Sequence, residues 1–482
     1  MKATPLFFAT LATALSVSAC EHHVVNLGGS FHEVCDVPPE ETGALDILFV
    51  VDDSGSMQPH QQALIQSAAS SLFAELEDDD GNLPDLHVGV ASTDVTIPGY
   101  TIPTCGAPDD GYLRGPQSTP ACQAAGITGS FLVDEEGGAG GRNRNYSGAI
   151  GDAFACLADL GTQGCGFEAP LQSMRMALDG RNSGFLRDDA MLLVVLLTDE
   201  DDCSVSNPAF YDPSQNSLTD PLGPLASFRC FDFGVECDPD EPRIVGSKSG
   251  CTSREDSDYL TPVGDFTNFL TGLKSDPTKV MVGGIFGDSD PVTVVLSADG
   301  RLELGDVCGG RPPPCTASSD AGVADAGMPV DAGPPADAAP PACPVWGPVS
   351  PGVRLHAVAA AFPARYDFES ICQVDFSAML RRIARATAGV MRARPCLLGQ
   401  VADVDPTTAG IQAACRAYDV VSPRTAGEQR TELRACDGSS ALPCFRVVAD
   451  AATCGDTDTG LAVQVDRAGP APAGAHVVLD CQ

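Results

Sequence analysis

A chain of 482 residues is long enough for two or three domains. Its formal net charge of −37 argues against nucleic acid as a partner, because phosphates need a basic surface. Twenty cysteines fit an oxidising compartment. No pair stands in CxxC spacing and the seven histidines are scattered, so the pattern is not that of a zinc site.

The chain opens with Lys2, an apolar core from Leu6 to Leu15 and then small residues, which reads as a secretory signal over residues 1–19. Its ending, Val17-Ser18-Ala19-Cys20, resembles a bacterial lipoprotein signal. That resemblance implies lipidation of Cys20 and a membrane contact through the lipid. Glu21 follows where an aspartate would resemble an inner-membrane retention signal, so the expected address is the outer membrane or cell surface. No other run is long and apolar enough to span a bilayer. Setting Cys20 aside leaves an odd number of cysteines, so one thiol is expected to be free or shared between molecules. Residues 20–40 read as a tether, and a domain is expected over 41–389.

Leu45 to Met57 reads LDILFVVDDSGSM. The apolar, β-branched run Ile47 to Val51 predicts a strand buried on both faces. Asp52, Ser54 and Ser56 follow at alternate positions, at the end of the strand where open parallel sheets bind ligands. One carboxylate and two hydroxyls are hard oxygen donors, suited to Mg²⁺, Mn²⁺ or Ca²⁺. His60 to Glu77 carries one apolar helical face, and the acidic run from Glu77 to Asp80 ends it. Leu86 to Ala91 is the next strand, with Asp94 expected in a turn. Residues 95–145, rich in Gly, Pro and Asn with Cys105 and Cys122, read as a disulfide-closed excursion holding a short edge strand at Ser130 to Val133. Ala149 to Leu160 is a short helix.

Gly161 to Leu178 begins as a loop and continues as a helix. Ala190 to Leu197 (AMLLVVLL) is a second fully buried strand, ending in Thr198-Asp199-Glu200-Asp201-Asp202. Asp201 and Asp202 read as solvated turn residues. Residues 203–257, with four cysteines, form an insertion expected to wall the site. Tyr259 to Lys274 is a helix, Lys279 to Phe286 a core strand, and Val292 to Leu304 a hairpin. Residues 309–342, in which Asp-Ala-Gly recurs at 320, 325 and 331, lack large apolar side chains and read as a flexible loop inside the domain. Cys308 or Cys315 is expected to close that loop on Cys343. Arg354 to Phe362, Phe368 to Cys372 and Phe376 to Ala388 complete the domain as helix, strand and helix. The alternation predicts an α/β fold with a doubly wound, mostly parallel sheet. Residues 390–482, with six cysteines and three short strand-like runs, predict a small disulfide-rich β module.

Asp52, Ser54 and Ser56 match the first loop of the metal-ion-dependent adhesion site of the von Willebrand factor type A family, and Thr198-Asp199 resembles that family's third loop. The resemblance implies a vWA-like, Rossmann-like domain that holds a divalent cation, Mg²⁺ foremost, on Asp52, Ser54, Ser56 and Asp199. It also implies an open coordination position for an acidic side chain of a protein or surface ligand. The second loop departs from the family pattern. Either Thr162 reaches the metal, or Glu168, nearer the following helix, takes the usual threonine's place. Glu200 stands where the family has glycine, making the site more acidic. The expected function is that of a lipid-anchored binding or adhesion protein of the cell envelope. The alternative is an assembly component of the envelope in which the ion only stabilises the loops. No GxSxG, HExxH or Walker pattern is present, so no enzymatic role is expected.

Overall fold

Strand directions in the computed structural model, which describes residues 32–39, 42–77, 81–102, 105–138, 141–309, 347–362, 365–397, 401–402, 407, 413–436, 442–455, 457 and 459–482, define the architecture. The signal peptide with Cys20, and nearly all of the low-complexity stretch with Cys315 and Cys343, lie outside the described residues.

The central sheet has seven strands. β2 (Ala44–Val51) and β6 (Met191–Leu197) lie side by side in parallel. β3 (Asp85–Ser92) flanks β2. β10 (Val280–Phe286) and then β13 (Tyr366–Ser370) extend the other side, also in parallel. β4 (Phe131–Glu136) and β5 (Arg142–Arg144) finish the β3 edge with antiparallel pairings. Every residue of β6 and β10 is buried, which explains their uninterrupted apolar sequences. One apolar cluster joins Phe49, Leu64, Phe73, Phe154, Leu380 and Ile383 across α1 (Gln58–Ser67), α4 (Ile150–Ala158) and α9 (Ser377–Met391). A second joins Leu48, Met174, Phe266, Leu355 and Phe362 across α5 (Pro170–Ala177), α7 (Val263–Gly272) and α8 (Val353–Ala360), while the short helices α3 (Pro120–Ala125) and α6 (Phe228–Gly234) belong to the excursions. The run predicted as one helix from His60 to Glu77 is α1, a π-helical stretch over Ala68–Phe73, and a last turn, α2 (Ala74–Leu76).

The second large sheet has six strands in the order β1-β18-β14-β15-β16-β17. These are β1 (His32–Val37), β14 (Cys415–Val421), β15 (Gln429–Ala435), β16 (Cys444–Ala449), β17 (Leu461–Asp466) and β18 (Ala475–Cys481). Residues 32–37 are therefore not tether but an edge strand, paired with the last strand of the chain. Two small sheets complete the insertions. One pairs β8 (Gly246–Ser247) with β11 (Thr293–Leu296) and β12 (Leu302–Leu304), and the other pairs β7 (Val235–Glu236) with β9 (Thr252–Ser253).

These pairings correct the expectation of a doubly wound, mostly parallel, Rossmann-like sheet. Parallel pairing joins the five strands from β13 to β3 and the pair β15 and β16. All the other strand pairings among the described residues are antiparallel. The sheets are thus mixed. Short connections favour antiparallel neighbours, and the excursions and the C-terminal region supply many of them.

Eight disulfides staple the described chain. Three fall within the C-terminal region, as Cys396–Cys454, Cys415–Cys481 and Cys436–Cys444. Cys308 pairs with Cys372 rather than with Cys343, so it ties the hairpin to the end of β13. Cys35, buried in β1, is the free thiol among the described residues.

Candidate functional site

The parallel register of β2 and β6 sets Val51 opposite Leu197, so the next residues of both strands emerge together. The Asp52 amide donates to the Leu197 carbonyl at 2.9 Å. The Thr198 hydroxyl donates to Asp52 Oδ2 at 2.8 Å, and the Ser54 amide donates to Asp52 Oδ1 at 2.7 Å. The Ser54 and Ser56 hydroxyl oxygens lie 3.4 Å apart. Asp52 and Asp199 are fully buried, Ser54 is 7% exposed and Ser56 is half-buried.

Asp199 is the feature that stands out. Both of its carboxylate oxygens are buried, and neither meets a hydrogen-bond donor within the described structure. Ser56 faces it closely enough to favour its charged form, but without hydrogen-bonding geometry. Burial first, and Glu200 second, push the Asp199 carboxyl up to about 7. Burial and then the neighbouring Asp199 push Asp52 up to about 7 as well. No lysine or arginine figures among the influences on Asp199 or Glu200. A buried, unpaired carboxylate costs several kcal/mol unless it is protonated or meets a cation.

The second loop packs against the first. Gln61 of α1 donates from Nε2 both to the Asp52 carbonyl, at 2.8 Å, and to the Gly161 carbonyl, at 2.9 Å. The Gly164 amide donates to the Asp53 carbonyl at 2.7 Å, and a Cβ at Gly164 would stand 2.5 Å from Asp53 Oδ1, so only glycine fits there. Cys165 donates its amide to Asp94 at 2.8 Å and is bridged to Cys105. Asp94 is thus a buried fastener of the loop rather than a plain turn residue.

Glu168 is buried and shares a hydrogen bond with Glu200. Burial, then Glu200 and then Asp52 hold the Glu168 carboxyl well above the ordinary range. Ser227 of the 203–257 insertion bonds Glu200, and the buried Tyr211 feels the charge of Glu168, so the insertion does reach this cluster. Thr162 is half-buried, and its described contact is a carbonyl accepting from Gln163 at 3.0 Å. Of the two second-loop candidates, Glu168 is the one that feels the charge of Asp52. Asp52, Asp199 and Glu168 nevertheless do not bring three carboxylate oxygens within 4.8 Å of one another.

Asp201 and Asp202 are not solvated turn residues. Asp201 accepts the Arg354 amide at 3.0 Å and the Leu355 amide at 3.2 Å, capping α8. Asp202 accepts the Leu171 amide of α5 at 3.1 Å and pairs with the buried Arg354 guanidinium at 3.1 Å. A fourth segment, residues 347–350, which sequence reading did not associate with the site, lies against it: the Ser350 amide donates to the Asp199 carbonyl at 2.9 Å.

Elsewhere, Cys436, Cys444 and Asp466 bring three ligand-type atoms within 4.8 Å of one another. The two sulfurs are joined in a disulfide, so this group offers thiolates to a metal only when reduced. No helix among the described residues is long and apolar enough to cross a membrane. The chain matches no protein-family model and no curated protein.

Proposed function

We propose that this is an extracytoplasmic, lipid-anchored binding protein whose site holds a divalent cation on Asp52, Ser54, Ser56 and Asp199. The observation that carries the reading is the Asp199 carboxylate, buried with both oxygens unpartnered beside the serine hydroxyls and Asp52. A hard cation satisfies such a set, because carboxylate and hydroxyl oxygens are the donors that Mg²⁺, Mn²⁺ and Ca²⁺ take. When bound, the ion would supply positive charge to which an acidic side chain of a protein or surface partner can add an oxygen. The Cys105–Cys165 bridge and Ser227 of the 203–257 insertion lie beside the same loops, which supports a role for these excursions in partner choice.

A second reading, in which the ion serves to hold the loops and contacts lie elsewhere in the envelope, is favoured by one observation. Glu168 and Glu200 add negative charge beside Asp52, and that charge offsets the ion's pull on an outside carboxylate.

Titration calorimetry of the full chain with Mg²⁺, Mn²⁺ and Ca²⁺, beside Ser54→Ala and Asp199→Ala, tests the site. Uptake by the wild type and loss in both variants is expected, and equal uptake by all three sinks the reading. Capture of envelope proteins with and without chelator then divides the two roles: binding that survives chelation favours the structural one.

A further inference from the structure

The segment 347–352 is held from several sides. The Val349 amide donates to Asp306 Oδ1 at 3.1 Å, and the Val349 carbonyl accepts the Val307 amide at 3.0 Å. Val349 is buried in the main core, and the adjacent Cys308 is bridged to Cys372. Gly352 donates its amide toward the Gly287 and Asp288 carbonyls, at 3.3 Å each, past the end of β10. A Cβ at Gly352 would come within 2.8 Å of the Gly287 carbonyl oxygen, and one at Gly287 within 2.0 Å of the Ser350 carbonyl oxygen. Backbone meets backbone there, and the segment has little room to shift.

Its leading residue, Gly347, touches the proposed ligands. A Cβ at Gly347 would lie 2.7 Å from Ser56 Cβ, 3.7 Å from Ser56 Oγ and 3.8 Å from Asp199 Oδ2. Ser56 Cβ is fixed to the first loop's backbone, so it cannot swing aside as a long side chain would. Any residue but glycine at 347 therefore displaces either the first loop or the segment.

Building on the ion-site reading above, we infer that residues 347–350 are a fourth wall of that site, with Gly347 as a positioning residue for Ser56 and Asp199. The strand ends supply the donors, and this segment fixes their spacing from a distant part of the chain. It contacts Ser56 through Gly347 and the Asp199 backbone through Ser350, so it sets the first loop against the third. Outer-shell groups that orient ligands are typically worth about 10-fold to 100-fold in metal affinity.

Mg²⁺ titration of the full chain, comparing wild type, Asp199→Asn and Gly347→Ala, tests this. Each protein is also melted in chelator. The expected result is that Asp199→Asn takes up no ion, whereas Gly347→Ala binds about 10-fold more weakly while still melting cooperatively in chelator. Wild-type affinity in Gly347→Ala overturns the inference and leaves the ion site standing. Equal uptake by wild type and Asp199→Asn overturns the ion site and this inference with it. Hydrogen exchange of the wild type keeps the question answerable if Gly347→Ala fails to fold. Amides over 347–352 should exchange more slowly with Mg²⁺ than in chelator, and identical exchange overturns the inference.

Discussion

Two buried polar clusters in this molecule solve the same problem in opposite ways. At the joint between the two large sheets, Asp36 of β1 meets Arg365 at 3.0 Å and His476 of β18 at 2.8 Å, and His476 meets Asp276 at 3.4 Å. Arg424 stands 3.8 Å from Asp36. Burial alone would raise the Asp36 carboxyl, but Arg365 and His476 outweigh it and hold that group far below the ordinary range. At the strand ends, burial raises Asp52, Asp199, Glu168 and Glu200 alike, and the charge of a neighbouring carboxylate raises each of them further: Asp199 acts on Asp52, Glu200 on Asp199 and Glu168, and Asp52 on Glu200. One cluster is neutralised by the chain itself, while in the other no lysine or arginine is among the influences on Asp199 or Glu200. On the proposed reading the contrast is that between a joint, which needs permanent closure, and a site, which needs room for a ligand.

The largest effect that would break this comparison lies at the joint. Arg365→Ala removes a fully buried cation and the largest charge offsetting Asp36, leaving only His476 and Arg424 beside it, which should cost about 3 kcal/mol in chemical denaturation. A loss below about 1 kcal/mol would mean that the joint does not depend on its charge balance. Next comes pH. Burial would lower the His476 pKa, but hydrogen bonds to Asp276 and Asp36 outweigh burial and lift it from 6.5 to about 9. The folded value lies above the unfolded one, so the stabilisation is complete below pH 6.5 and fades as pH rises through about 9. The full span is of order 3 kcal/mol, and His476→Gln should abolish that part of the pH profile. A profile unchanged by the substitution would exclude the protonated histidine from the joint.

How much of this was legible in the sequence follows from which interactions are local. Ile47 to Val51 and Met191 to Leu197 announce buried strands because burial on both faces demands an unbroken apolar run. Asp52, Ser54 and Ser56 were legible because one short loop holds all three. β15, QRTELRA, is exposed at all but one position and carries no apolar alternation to detect. β1, HEVCDV, read as tether because its partner strand lies at the far end of the chain. Strand direction is not written in periodicity either, so of the antiparallel pairings only the hairpin at 292–304, which has a tight turn to mark it, is legible. Gly347 was invisible for a related reason: its contact with Ser56 exists only in space, and a glycine before proline looks like any loop.

The smallest expected effect bears most directly on the contrast between the clusters. Asp199→Asn keeps the shape of the side chain and removes its charge. In chelator the wild type must bury that carboxyl with no donor and beside Glu200, so the variant should be more stable by about 1–2 kcal/mol. With Mg²⁺ at roughly 100 times its dissociation constant, the wild type should gain about 2.7 kcal/mol and the variant essentially nothing, reversing their order. The same measurement on Asp36→Asn should show no reversal, because Arg365 and His476 already neutralise that group. A variant less stable than the wild type in chelator would mean that Asp199 is satisfied within the chain. The strand-end cluster would then be a second joint, and no cation would be needed to complete it.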